Sequence, residues 1–251
     1  MVYSVRMKKI ILIAGKDMPA GRDFADGMAA AGYNVVVAGG AETEGSAGTS
    51  GSVAVASWNR PSSISARSLV LHAENLFGAV NETVLYFDAE EYASQFTVFS
   101  PEECTRALDT MISGYEYLAM ETITRLEQRK NAGKLVFLLK RHPAMEEVLH
   151  SAALRSSTVS PAGPFVSAAQ AAFASFAENV AALTGDRPNV TVVLVSCDAN
   201  NETAAKDGSL SSWLAGYLSS VDNLKNKPGA RQAINWIKAG AKGPGLLSLF
   251  R

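Results

Sequence analysis

The stretch KKIILIAGKDMPAGRDFADGMAAAGYNVVVAG, Lys8 to Gly39, decides the fold. Lys9 to Ala14 is a short apolar run ended by Gly15, the pattern of a strand buried on both faces of a parallel sheet. From Ala20 to Ala31 the spacing turns helical, with Phe24, Ala25, Met28, Ala29 and Ala31 on or near one face, and Gly32 stops the helix. Asn34 to Ala38 is a second buried strand. Two such strands joined through one helix form the right-handed crossover of a parallel sheet.

Working outward, Gly39 to Ser52 is rich in Gly, Ser and Thr and reads as a mobile surface loop. Further strands are expected at Ser52 to Ala56, Glu82 to Phe87, Leu135 to Leu139 and Asn189 to Val195, with a short last one at Leu246 to Phe250. Helices are expected at Ile64 to Phe77, Ser209 to Ser219 and Gly229 to Ala239. The longest spans Pro101 to Lys130, with Ser100 as N-cap, Pro101 at its first position and Glu102 and Glu103 in its first turn. Arg141 to Pro164 reads as an insertion holding a short helix, Ala144 to Leu154. Val166 to Leu183, VSAAQAAFASFAENVAAL, is a helix apolar nearly all round, which must be covered on more than one side. The pattern predicts one α/β domain over residues 1–251, a doubly wound parallel sheet in three layers, interrupted by the loop 39–52 and the insertion 141–164.

Composition narrows the function classes. Apolar residues make up 47% of the chain, enough for a large core. The net charge is −1, from 23 basic and 24 acidic residues, so there is no electrostatic footprint for nucleic acid or an anionic membrane. Cys104 and Cys197 are far apart, which argues against a disulfide framework and for a reducing, cytoplasmic setting. The apolar run Ile10 to Ala14 is too short for a signal peptide or a membrane span. His72 and His150 are solitary, and no His/Cys/Asp/Glu grouping has metal spacing.

The order and spacing of these segments resemble the short-chain dehydrogenases/reductases, a Rossmann-like family. In that family a Thr-Gly-x-x-x-Gly-x-Gly loop follows the first strand, and Ala14, Gly15, Pro19 and Gly21 fall at those positions here. AAAGYNVVV resembles the run into the second strand, and the Val166 to Leu183 segment resembles the active-site helix, which normally begins Tyr-Ser-Ala-Ser-Lys-Ala-Ala. The resemblance extends to about Thr203.

Carried across position by position, the resemblance preserves the scaffold and loses the chemistry. The catalytic Tyr falls on Val166, the Lys on Gln170, the Ser on Lys140 and the helix Asn on Met111. Hydride transfer to a carbonyl needs a proton donor beside the developing alkoxide, and Val166 has none. Pro19 stands where the middle glycine would let backbone approach a pyrophosphate, and it removes an N–H. Asp17 is placed to cap the first helix, on the site of a phosphate. The second strand ends in Ala38-Gly39-Gly40 with no acid for the ribose; Glu42 and Glu44 lie in the loop.

The reading is therefore a catalytically degenerate member of the family, a binding or structural homo-oligomer with no cofactor and no catalytic residues, alone or as the partner of an active homologue. If a dinucleotide, NAD(P), is held at all, Gly15, Lys16, Met18 and Gly21 would hold it. The alternative is an NAD(P)-dependent oxidoreductase with relocated residues, Tyr115 as acid and Lys140 as its charge partner. In the resembling family the fourth helix and the active-site helix make a four-helix interface. The resemblance implies a homodimer or homotetramer through 101–130 and 166–183.

Overall fold

Alternate residues of the central strands face opposite ways, and both sets are apolar. In the computed structural model, which describes residues 8–40, 52–129, 132–155, 162–198, 200–223 and 234–242, these strands lie between two helical layers. The strands are β1 (Ile10–Ala14), β2 (Asn34–Gly39), β3 (Val53–Ser57), β4 (Glu82–Asp88), β5 (Gly133–Lys140), β6 (Val190–Cys197) and β7 (Trp236–Lys238). All pair in parallel in the order β3-β2-β1-β4-β5-β6-β7. The chain reverses direction across the sheet between β1 and β4, and there a doubly wound sheet opens a crevice at its carboxyl edge. The fold is Rossmann-like.

Leu12, Leu85, Phe87, Phe137 and Leu139 point to one face, where they pack with α2 (Ser63–Phe77), α5 (Gly114–Glu127) and α8 (Pro164–Thr184). Ile11, Ile13, Val84, Tyr86, Val136 and Leu138 point to the other, against α1 (Arg22–Ala30) and α9 (Asp207–Asn223). The periodicity between Lys8 and Gly39 is realised as β1, α1 and β2. Ser100 accepts from the Glu103 N–H at 3.2 Å, capping α4 (Pro101–Leu108) behind Pro101.

Four expectations change. The helix expected at 101–130 is broken by a π-helical turn, Asp109–Ser113, between α4 and α5. Gly114 follows that turn, and a Cβ there would lie 2.9 Å from the Arg60 Cβ and 3.1 Å from the Trp58 ring; the turn and the glycine together admit a loop against the helix. A helix not expected, α3 (Ala89–Gln95), starts directly after β4 because Asp88 caps it, accepting from the Glu91 N–H at 3.3 Å. The insertion carries two short helices, α6 (Met145–His150) and α7 (Ala152–Arg155), in place of one. The helix expected at Gly229 to Ala239 is replaced over Trp236–Lys238 by β7, which satisfies backbone groups on the otherwise open edge of β6. The strand expected at Leu246 to Phe250 and most of the loop 39–52 lie outside the described residues. Among the described residues no helix is long and apolar enough to cross a membrane, and no group of three or more His, Cys, Asp or Glu side chains could hold a metal ion.

The amino edge of the sheet is closed by a charge cluster. The Glu82 carboxylate, 1% exposed, takes Lys9 at 3.1 Å and Lys134 at 2.9 Å, and both ammonium groups also pair with Asp222 near the end of α9. This ties β1, β4 and β5 to the last helix. Partial burial pushes the Asp222 carboxyl up, but hydrogen bonds from Lys134 and Lys9 outweigh it and hold that carboxyl below its ordinary value. A depressed folded-state pKa stabilises above the unfolded value and is lost as pH falls through the folded one. Unfolding free energy is therefore expected to stay level for this group down to about pH 4 and to fall below it, with the dependence reduced in Asp222→Asn. Lys134→Met, which strips one partner from a buried carboxylate, is expected to lower stability by about 3 kcal/mol in urea denaturation.

Candidate functional site

Where β1 and β4 separate, the loop from Gly15 to Gly21 leaves the sheet. Gly15 has φ +96°, and a Cβ on it would lie 2.1 Å from both the Tyr115 hydroxyl and the Tyr86 carbonyl oxygen. Glycine is required twice over, by conformation and by space. The Tyr115 hydroxyl, on α5, lies directly under this loop and donates to the Tyr86 carbonyl at 2.6 Å. Gly21 is similarly confined: its Cβ would lie 2.2 Å from the Lys16 carbonyl oxygen, so the loop closes tightly on α1.

On the α5 side of the crevice, Arg60 reaches in from the connection between β3 and α2. Its Nη1 donates to the Tyr92 hydroxyl at 2.6 Å and to the Thr110 carbonyl at 3.0 Å, and its Nη2 to Asp17 Oδ1 at 3.0 Å. The guanidinium lies 4.9 Å from the Trp58 ring, 5.9 Å from Tyr92 and 5.8 Å from Tyr115. The Tyr92 and Tyr115 hydroxyls are 2.7 Å apart. Burial opposes the charge on Arg60, but Tyr92, Tyr115 and Asp17 outweigh it and its pKa rises. Tyr115 is pushed well above its ordinary pKa, chiefly by burial. Trp58, 2% exposed, has an indole N–H with no acceptor among the described residues; such an orphan costs about 1–3 kcal/mol.

On the α9 side, Lys16 Nζ pairs with Asp88 at 2.7 Å, Glu91 at 3.0 Å and Asp207 at 3.3 Å. Tyr86 donates to Asp207 at 3.1 Å. Burial works against the ammonium, but these three carboxylates raise its pKa. Lys140, at the end of β5, pairs with Glu90 at 3.0 Å and lies 3.4 Å from Asp88. Nearby, burial pushes the Cys197 thiol up to about 12, so no reactive thiolate forms there.

The sequence-derived candidates are thus partly gathered. Gly15 and Tyr115 touch, and Lys16 and Lys140 share Asp88. Tyr115 and Lys140 end on different partners, and both are shifted away from the pKa that general acid chemistry near neutrality uses. Asp17 does not cap α1; Gly21 holds the cap position, and the Asp17 carboxylate is turned to Arg60. Val166 is fully buried, Met111 is buried in the π-helical turn, and Gln170 Oε1 accepts from the backbone N–H of His142 at 3.0 Å. Arg60, Trp58, Tyr92 and Asp207 were not singled out by sequence. The one local sign was an acid closing β4 before Ala-Glu-Glu, the mark of a helix cap.

No family model matches the chain. An uncharacterized protein of Treponema pallidum (strain Nichols) is 29% identical over 189 residues, 74% of this chain and 72% of that protein. Among solved structures, a short-chain dehydrogenase/reductase of Brucella melitensis, described as a glucose/ribitol dehydrogenase, matches with a TM-score of 0.52 at 20% identity, covering 76% of this chain and 72% of that one. The likeness establishes the fold.

The confinement of Gly15 gives a direct check. Gly15→Ala is expected to lose about 3 kcal/mol or more in urea denaturation, because strain at positive φ adds to a clash with Tyr115 and Tyr86.

Proposed function

We propose that this chain is a catalytically degenerate protein of the short-chain dehydrogenase/reductase fold, one domain acting as a binding or structural homo-oligomer, alone or beside an active homologue. The observation that carries this reading is the filling of the β1/β4 crevice by the protein's own side chains. Arg60 and Tyr115 stand on one side of it and the Lys16–Asp88–Asp207 cluster on the other.

A dinucleotide fits these residues poorly. A pyrophosphate needs unengaged N–H groups and positive charge at the loop. The cation nearest to it, Lys16, is held by three carboxylates. The two clusters together contain five carboxylates, on Asp17, Asp88, Glu90, Glu91 and Asp207, against the cations of Lys16, Arg60 and Lys140. Their charge repels phosphate. β2 ends in Gly39 with Gly40 after it, so neither described residue at that strand end offers a carboxylate to a ribose. The positions matching the family's proton donor and its lysine, Val166 and Gln170, carry no titratable group.

Self-association is supported by what the two outer helices leave uncovered. α8 packs beside α4 and the π-helical turn. It turns Ala168, Ala171 and Ser175 outward, with Leu183 66% exposed at its end. Leu108 on α4 and Met120 on α5 are half exposed. Small residues on the outer side of α8 let two copies of the helix approach closely, and the exposed apolar side chains add surface to bury.

Two measurements test this. Fluorescence titration with NADH and NADPH is expected to show no binding tighter than about 0.1 mM, equivalent to roughly −5.5 kcal/mol; tighter binding with turnover lost in Tyr115→Phe and Lys140→Ala would favour a relocated oxidoreductase site. Sedimentation at micromolar concentration is expected to give a dimer or tetramer, and Ala171→Glu, which places a charge at the centre of the α8 face, is expected to shift it to monomer.

A further inference from the structure

The Arg60 cage has the construction of a receptor. Its two tyrosine walls are held without Arg60. Tyr115 is fixed by its bond to the Tyr86 carbonyl and by edge contacts with Trp58 at 6.4 Å and Phe173 at 5.2 Å. Tyr92 is fixed by its hydroxyl contact with Tyr115 and by its ring contact with Phe87 at 5.1 Å. A carbonyl, a hydroxyl and a carboxylate converge between these rings, from Thr110, Tyr92 and Asp17.

The shape selects the ligand. Three aromatic rings within 6 Å of one point favour a cation. Acceptors for both terminal nitrogens, Tyr92 and Thr110 for one and Asp17 for the other, match the fork of a guanidinium, which a lysine ammonium does not reproduce. The surplus of carboxylates in the two clusters draws cations toward them and repels anions. The mouth is at the surface: Asp17 is 37% exposed, and Asn59 and Pro61, on either side of Arg60, are exposed. Arg60 therefore enters from the rim, on a connection running only from Ser57 to Ser63.

We propose that this cage is a guanidinium-binding site that the resting chain occupies with its own Arg60, so that a guanidinium-bearing ligand enters by displacing that side chain. The contact is autoinhibitory: the internal ligand is covalently tethered, and an external one competes against its high effective concentration. This rests on the reading of the crevice as closed to dinucleotides. It would give the degenerate site a ligand class of its own, a guanidinium group on a small molecule or a peptide.

Chemical rescue tests it. Arg60→Ala empties the cage, and N-ethylguanidinium at about 10 mM is expected to raise the melting temperature of this variant saturably, since a ligand bound to the folded state stabilises it by mass action. N-ethylammonium at equal ionic strength is expected to bind at least about fivefold more weakly, lacking the fork. Wild-type protein is expected to shift far less than the variant. Arg60→Ala combined with Asp17→Asn is expected to lose most of the rescue. An equal response to both cations, or an equal response of wild type and variant, overturns the proposal. Should Arg60→Ala not fold, Arg60→Gln carries the same readout and the same opposing outcome. Tight NADH binding by the wild type would instead overturn the proposed function, whichever way the rescue falls.

Discussion

The hydrogen bond from the Tyr115 hydroxyl to the Tyr86 carbonyl, 2.6 Å long and shut off from water, fixes the centre of this molecule. It joins the long helical layer to β4 directly beneath the first loop. Because Tyr115 lies there, residue 15 can carry no side chain, and the loop must pass over a phenol where a nucleotide-binding loop would present open backbone. The same hydroxyl steadies Tyr92, and Tyr92 receives Arg60. One buried bond thus positions the loop, the cage and the residue that fills it.

The two edges of the sheet use charge differently. At the amino edge, Lys9, Lys134, Glu82 and Asp222 balance one another and act as a clamp between β1, β4, β5 and α9. In the two clusters at the carboxyl edge carboxylates outnumber cations, and every cation in them is engaged with at least one carboxylate. A balanced buried cluster serves structure. The unbalanced one lies where sheets of this kind take ligands, with its charge reversed from what phosphate requires.

The fold was legible because burial leaves a periodic mark. The strands from Ile10 to Cys197 are apolar on both faces, and α1 and α2 show their spacing, so elements and order could be read locally. β7 was misread because three residues on an edge, Trp236–Lys238, leave too little pattern to distinguish from a helix end. The π-helical turn was missed because Met111 and Tyr115 keep an apolar face through it. The crevice was legible as absences at Val166, Gln170 and Pro19 and as the single residues Lys16, Tyr115 and Lys140, without their partners. What fills it was not: Arg60 and Asp17 are 43 residues apart, Arg60 and Thr110 are 50 apart, and no local pattern announces such pairs. Gly15 matches the family's loop glycine in sequence, and only the fold shows that its missing side chain also makes room for Tyr115.

The central claim is that the crevice is closed in solution by Arg60. Nitrogen-15 NMR of the arginine guanidinium groups, with Arg60 assigned by its loss in Arg60→Ala, tests it most directly. A closed cage predicts that the Arg60 Nη protons show hindered rotation and slow exchange with water, and that neither changes when NADH is added at about 0.5 mM, a concentration at which a ligand of 0.1 mM affinity would be mostly bound. Freely rotating, rapidly exchanging Arg60 protons, or signals that NADH displaces, would contradict it.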